Sequence, residues 1–515
     1  MRQILHKIQV NRLKALLFLL LLFTAAMFLL KPIYDADFFW HLRTGQWIWQ
    51  AGTLPDRDPF NFTTGAVVTN AIHFTLTSYW LSQVMFYLAF LGGGMGGIVA
   101  LRFLFAAALL YTMHKRLKGD GIITMSLLVF FTIAIVNFYF FERPQILSFV
   151  FFAMMLFFLE RIRNGSAPES AGEKGSVANK DTFFLAIVMF LWSNSHGGHL
   201  LGQITVLIVL VVEGVKYLHR GLRPMPSARY VRLLIAGFFV IICSLVNPNN
   251  YQAFMLMLQT RAGDPSSQIQ EYSTLLEMYN DTHAPVIIIY FAIIFLTGIA
   301  LAAAPKKTDL TEMVLLTFLG YFAFKYVRYA AFFPIAALPL LGKRLSSDPV
   351  VRYARWLLPP LALVAVYICG SGEFSANIAT ARSGKWVSDR FFPEKAADFI
   401  IASNIQGNMY NPYNWGGYLI WRLAPERKVY ADGRNLNIDF FKQASLSSLL
   451  KKYDINYIIT YSHEPTGEIT AVASDLLKGR EWLPVFLDRR SRSAVFVRNV
   501  AVNAAVLARR PYISF

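Results

Sequence analysis

Residues 34–60, YDADFFWHLRTGQWIWQAGTLPDRDPF, place two acids two positions apart, a histidine and a dense aromatic run directly behind a hydrophobic segment. That segment, Ala15 to Leu30, is apolar enough to enter a hydrocarbon core of about 30 Å, so Asp35 and Asp37 fall where the chain leaves the bilayer. Ionisable groups at that boundary cost free energy and mark function by default. Within Phe38 to Gln50, Asp37, His41 and Gly45 share one helical stripe, while Phe39, Leu42 and Trp49 lie on another. This predicts a helix lying flat in the membrane interface with its acids at the depth of a lipid phosphate.

Outward from this stretch the whole chain has membrane character. Hydrophobic residues make up 55% of its 515, and mean hydropathy is +0.43. Eleven windows predict spans: 15–31, 98–114, 122–139, 146–160, 182–194, 199–217, 230–246, 285–304, 310–325, 330–344 and 356–371. Arg2, Lys7, Arg12 and Lys14 precede the first, and no small-residue cleavage site precedes the acidic loop, which predicts a retained signal anchor. The net charge of +18 is spread over short loops between spans, so the positive-inside rule accounts for it and no nucleic-acid partner is expected. Cys243 and Cys369 both sit in apolar windows and predict neither a disulfide framework nor a zinc site.

Every basic cluster falls on the cytoplasmic side with the N-terminus if Tyr79 to Phe90 does not cross but lies in the interface or re-enters near Gly92 to Gly97. The outer face then collects Asp35, Asp37, His41, Asp58 and His73, Glu142-Arg143-Pro144, the turn WSNSHGGH with Asn194, His196 and His199, Glu271, and Lys325 to Arg328. Such convergence points to an active site at the outer boundary, since buried charges need partners. Residues 1–371 are expected to form a transmembrane domain including an outer loop 32–97, and 372–515 a soluble α/β domain outside. The stretch 164–181 predicts a flexible cytoplasmic loop. In the tail, Pro393 to Asn404 and Leu446 to Tyr453 predict helices; Gly407 to Tyr410, Lys428 to Ala431 and Ile455 to Tyr461 predict strands; Trp482 to Asp488 and Ser493 to Arg498 predict a hairpin.

A carboxylate beside a lipid phosphate is repulsive, so cations must join the site. Arg143 and Arg328 are the candidates for holding phosphate oxygens in bidentate geometry, assisted by Lys325 and His196. Asp35 and Asp37, with His196 and His199, offer ligand types for a divalent ion such as Mg or Mn, at a spacing that matches no zinc motif; metal dependence stays open. Asp58, His73, Asn194 and Glu271 are further polar groups for substrate. In NPYNWGGYLIWRL and YADGR, Gly416-Gly417 reads as a tight turn over a small core of Tyr413, Trp415 and Tyr418, while Asn414, Asp432 and Arg434 are equally suited to hydrogen-bonding a sugar.

The order of N-terminal span, acid pair, interfacial helices, many spans and outer soluble domain resembles the GT-C fold of integral membrane glycosyltransferases. The elements YDADFFWHLRTGQWI, LPDRDPFNFT, ERPQ, NSHGGHLLGQ and MYNPYNWGGYLIWRL…KVYADGR resemble a bacterial subgroup of that family and span almost the full length. At 75–81, TLTSYWL departs from a His-Glu-Trp-Leu type element, with no acid before Trp80. The resemblance implies an α-helical polytopic protein of about eleven transmembrane helices in a bacterial inner membrane, with its N-terminus cytoplasmic and its C-terminal domain periplasmic. It implies sugar transfer from a polyprenyl-phosphate donor to a glycan, lipid or protein acceptor on the outer face. Asp35 or Asp37, with His41, would serve as general base in a single inverting displacement, and arginine would stabilise the departing phosphate. A lipid-linked glycan flippase, or a non-catalytic part of a polysaccharide export complex, is the competing class; the paired broken helices of transporters are not visible in the sequence.

Overall fold

The computed structural model describes residues 2–64, 68–117, 121–165, 173–219, 222–259, 272–303, 309–347, 356–370, 372, 374–434, 436 and 445–509. They divide into two compact units, Met1–Lys31 with Gly96–Phe140 and Pro144–Gly384, and Pro32–Met95 with Phe141–Arg143 and Lys385–Phe515. The expected division at 371 differs in two respects. The boundary falls at 384, and the first loop groups with the tail rather than with the spans.

The first unit is helical. Among the described residues, six helices are long and apolar enough to cross a membrane: Gln9–Leu29, Asn70–Arg116, Gln145–Asn164, His199–Leu218, Ser227–Leu245 and Pro285–Ala302. The bent pair Leu358–Gly370 and Phe374–Ser383 makes seven if counted as one. The other four windows are also helical. Gly121–Asn137, which ends in a π-helical turn, Leu310–Lys325 and Phe332–Ser347 are shorter, and Glu173–Ser193 opens on the polar run EKGSVANKD. Residues 173–181, expected in a flexible loop, thus extend a helix; 166–172 lie outside the described residues. Large apolar side chains stay exposed on these helices, Phe238 at 60% and Phe295 at 68%, as a surface solvated by lipid requires. Glu173–Ser193 packs against Gln145–Asn164 and Ser227–Leu245.

The long helix Trp80–Arg116 is broken where re-entry was expected. Gly93 and Gly94 leave helical geometry, and Gly94 adopts φ 58°, ψ −144°, a conformation that L side chains avoid. The chain passes from one unit to the other just beyond this kink. Residues before it belong with the tail: Phe86 packs edge-on to Phe38, and Phe90 to Trp421.

The second unit is built on a four-stranded sheet, β1 Asn408–Tyr410, β2 Ile455–Tyr461, β3 Trp482–Asp488 and β4 Ser493–Arg498, in the order β1-β2-β4-β3. β1 pairs parallel with β2; β4 is antiparallel to both β2 and β3, giving the expected hairpin. Helices Glu394–Ala402 and Leu446–Lys452 fall where helices were expected, and Ala471–Lys478 adds one that was not. The strand expected at 428–431 is a single bridge between Asn61 and Val429. One core mixes loop and tail residues, Trp40 and Phe60 with Ile400, Trp415, Leu419 and Val495. Burying that shared apolar surface joins the loop to the tail.

Candidate active site

Asp35 and Asp37 open the helix Ala36–Ala51. Asp35 is its N-cap, with Oδ1 accepting from the Asp37 N–H at 2.9 Å, the standard way to satisfy an orphan helical donor. This helix does not lie flat with one wet face. Phe38, Phe39, Trp40, His41, Leu42, Thr44, Gly45 and Ile48 are all buried, because the helix Gly416–Leu423 packs on one side and residues 79–86 on another. An added Cβ on Gly45 would meet the Gln83 carbonyl oxygen at 2.0 Å, so this helix and the next touch backbone to backbone.

Arg143 bridges the acid pair. Its Nε donates to Asp35 Oδ2 at 2.5 Å, and its Nη2 lies 3.1 Å from Asp37 Oδ2. The Trp40 indole N–H donates to Asp37 Oδ1 at 3.2 Å. One guanidinium thus offsets the repulsion of two carboxylates while all three side chains keep some contact with solvent. His41, on the same helix, is buried; its Nδ1 lies 3.2 Å from the Gln83 side-chain amide nitrogen, and its ring lies against Trp40.

The tail closes on this group through glycines. An added Cβ on Gly433 would sit 1.7 Å from Asp37 Oδ1. At Gly416 it would meet the Ala431 oxygen at 2.1 Å, and at Gly417 the Ala36 oxygen at 2.1 Å. The pair Gly416-Gly417 therefore corrects the expected tight turn. Both residues start a helix, and their missing side chains let it approach the backbones of the loop helix and of the ADGR turn.

Asp58, Asp432 and Arg434 form a second cluster. Arg434 donates from Nη1 to Asp58 Oδ1 at 2.7 Å, and from Nε and Nη2 to Asp432 Oδ1 and Oδ2 at 2.7 and 2.8 Å. Burial alone would raise the Asp432 carboxyl, but the guanidinium and its hydrogen bonds hold it below the ordinary value; the same carboxylates raise Arg434 further. Asn61 donates to the Tyr430 oxygen and to Asp432, and Asn411 pairs with the backbone of Tyr430 and Ala431. Asp58, Asp432 and Arg434, considered above for substrate contact, have buried side chains that bond to one another, clasping the loop to the tail. Asn414 is exposed in the turn Tyr413–Trp415, and His73 is half-buried in Asn70–Thr77.

The remaining candidates lie in the first unit. His196 Nδ1 accepts from the Gly198 N–H at 3.0 Å and contacts Ser148 Oγ at 2.7 Å, which itself accepts from the Trp192 indole N–H. Burial, and then the charge of Arg328, pushes His196 down to about 3, so it is neutral at pH 7 and offers Nε2–H. His199 Nδ1 lies 3.2 Å from the His196 oxygen. Asn194 is buried and ties its turn to the Phe190 and Val246 oxygens. Arg328 donates to the Tyr272 hydroxyl and stacks on its ring; exposed Lys325 donates to the Tyr321 hydroxyl. Glu271 lies outside the described residues.

Among the described residues, no group of three or more His, Cys, Asp or Glu side chains is arranged to hold a metal ion. Arg143 engages both carboxylates of the acid pair, so this donor set, as arranged, does not fit a divalent cation. Sequence reasoning missed Trp40 and Gly433 as neighbours of the acids and Gln83 as the partner of His41. The only signal was indirect: LPDRDPF and YADGR each carry acids beside an arginine.

No family model matches the chain, and no curated protein matches it by sequence. Solved structures do. The archaeal oligosaccharyltransferase AglB from Archaeoglobus fulgidus, in complex with an inhibitory peptide and a dolichol-phosphate, aligns at TM-score 0.56 and 10% identity over 86% of this chain and 69% of its own. ArnT from Cupriavidus metallidurans in the apo state aligns at TM-score 0.53 and 12% identity over 96% of this chain and 99% of its own. The A. fulgidus oligosaccharyltransferase tethered to an acceptor peptide gives 0.52 and 11% over 86% and 68%. At these identities the likeness is one of fold.

Proposed function

We propose, from the premise that this multi-pass membrane chain has the GT-C fold, that it is a membrane glycosyltransferase moving a sugar from a polyprenyl-phosphate carrier to an acceptor on the outer face of the bacterial inner membrane. The observation that carries this reading is the solvent-touching acid pair bridged by Arg143 at the start of a buried helix. The fold also supports it, since AglB is an oligosaccharyltransferase whose structure holds a dolichol-phosphate. Under this reading the N-terminus and the basic helix ends face the cytoplasm and the tail lies outside.

Asp37 is the general base. It is the more exposed of the pair, its side chain 22% exposed against 7% for Asp35, which also caps the helix. As the acceptor oxygen attacks the anomeric carbon, Asp37 takes its proton while the bond to the carrier phosphate breaks, inverting the centre; such help is worth roughly 10² to 10⁴ in rate. Asp35 and the Trp40 N–H hold Arg143 and Asp37 in place. Arg328, Lys325 and neutral His196, all in the first unit, are separate candidates for binding a lipid phosphate.

The test is release of free polyprenyl phosphate from a sugar-loaded carrier by the purified protein in detergent. A transferase produces it only with acceptor or water as sugar recipient; a protein that consumes no carrier and instead moves it between leaflets of a vesicle is a flippase.

A further inference from the structure

The helices of the first unit have two differently charged ends. Ser148, the turn 193–198, Val246 and Lys325 to Arg328 mark one. At the other, a cavity of about 910 Å³ opens among the end of Gln145–Asn164, the starts of Ser227–Leu245 and Leu310–Lys325, and the last turns of Trp80–Arg116 and Phe332–Ser347.

Seven basic and four acidic side chains line it among the described residues. Three of the acids are taken by arginines: Glu160 by Arg116 at 2.6 Å, Asp181 by Arg161 at 3.0 Å and Asp309 by Arg163 at 2.7 Å. Buried Glu213 behind the wall holds Arg163 and Lys216 at 2.6 and 3.0 Å. Three further cations, Lys115, Arg229 and Arg232, form no ion pair with any described residue; Arg229 donates only to the Arg163 carbonyl at 3.2 Å. Internal pairing thus fixes the frame of the cavity, and its described lining, with Glu312 as the fourth acid beside Lys343, keeps an excess of positive charge. The wall between is apolar, formed by Leu156, Val209, Leu316 and Leu340.

A cationic mouth over an apolar wall at the end of lipid-solvated helices suits an amphiphile with an anionic head. Guanidinium groups match phosphate oxygens in paired, fork-like geometry, and basic pockets between membrane helices take anionic headgroups in this way. We propose that this cavity binds the phosphate headgroup of an anionic membrane lipid, with Arg229, Arg232 and Lys115 on the phosphate and an acyl chain along the apolar wall. Nothing in this binding uses the acid pair of the second unit.

The test uses the full-length protein delipidated in a neutral detergent. Retention of added lipid is read by native mass spectrometry and stabilisation by thermal unfolding, with phosphatidylglycerol, phosphatidylcholine and inorganic phosphate as separate probes. Phosphatidylglycerol is expected to bind and raise the unfolding temperature, and the other two to do neither. The double variant Arg229→Gln/Arg232→Gln should weaken phosphatidylglycerol binding at least about tenfold, and Arg229→Lys/Arg232→Lys should recover part of it. Lys115→Gln, at an exposed position, gives the same direction of change should the double variant fold poorly. Asp37→Asn should bind the lipid as the unaltered protein does, so loss of transfer and loss of lipid binding are separable results. Equal binding of the two phospholipids, stabilisation by inorganic phosphate alone, or unchanged affinity in the glutamine and Lys115 variants would overturn the proposal.

Discussion

The second unit contains the same ionic composition twice, two aspartates and one arginine, in two different settings. In the Asp58–Arg434–Asp432 cluster all three side chains are 1% exposed and each carboxylate is fixed by direct bonds to the guanidinium. In the Asp35–Arg143–Asp37 cluster the exposures are 7%, 31% and 22%. The buried cluster is closed to solvent and is fixed by its internal geometry. The open one holds its charges only in part and leaves Asp37 in reach of solvent. Equal chemistry thus serves as a clasp in one place and, under the proposed function, as a reaction centre in the other, with burial making the difference.

The largest expected effect is on the clasp. Arg434→Met leaves two buried carboxylates facing each other without their counter-charge, a loss on the order of 3–5 kcal/mol. Thermal unfolding and protease sensitivity of the loop at 52–64 measure it. An unfolding temperature equal to that of the unaltered protein would mean that the cluster is not what joins loop and tail.

Gly433→Ala probes the point where the tail touches the open cluster. The new methyl needs the space held by Asp37 Oδ1, so the carboxylate must turn away while the backbone, at an ordinary φ, stays in place. Turnover should fall about a hundredfold, the usual penalty of an ångström-scale misplacement, with little change in unfolding temperature. Full activity in a folded Gly433→Ala protein would separate the two regions functionally.

A smaller effect is acid tolerance. Because the folded Asp432 carboxyl lies below its unfolded value of about 3.9, its contribution is present above that value and is lost as pH falls through the lower folded one. The clasp should therefore survive acidification past the ordinary carboxylate range, and Asp432→Asn should remove that part of the acid dependence. Identical acid-unfolding curves for both proteins would contradict the assignment.

The smallest effect concerns metal. With Arg143 on both carboxylates, excess chelator should change turnover less than about twofold; a larger loss restored by Mg or Mn would mean that the acids exchange the guanidinium for an ion during the reaction.

What could be read from the sequence followed local rules. The apolar windows, the helix behind Asp35, the break at Gly93-Gly94 and the hairpin of β3 and β4 all come from composition or short-range period. What could not be read is long-range. The contact of Gly433 with Asp37, and the ion pairs from Asp58 to Arg434, join segments far apart in the chain, so no local pattern shows why the glycines are needed or that the loop shares a core with the tail. The flat interfacial helix was expected from its tryptophans, yet Trp40 turns inward because its indole N–H has a carboxylate to meet.

The central claim is that Asp37 takes the acceptor's proton. Its most direct test is the release of polyprenyl phosphate from sugar-loaded carrier by purified Asp37→Asn protein, set beside the unaltered protein at matched folded fraction. The substitution keeps shape and removes the proton acceptor, so the rate is predicted to fall at least about a hundredfold with the unfolding temperature nearly unchanged. Carrier consumption at the normal rate by a folded Asp37→Asn protein would contradict the account.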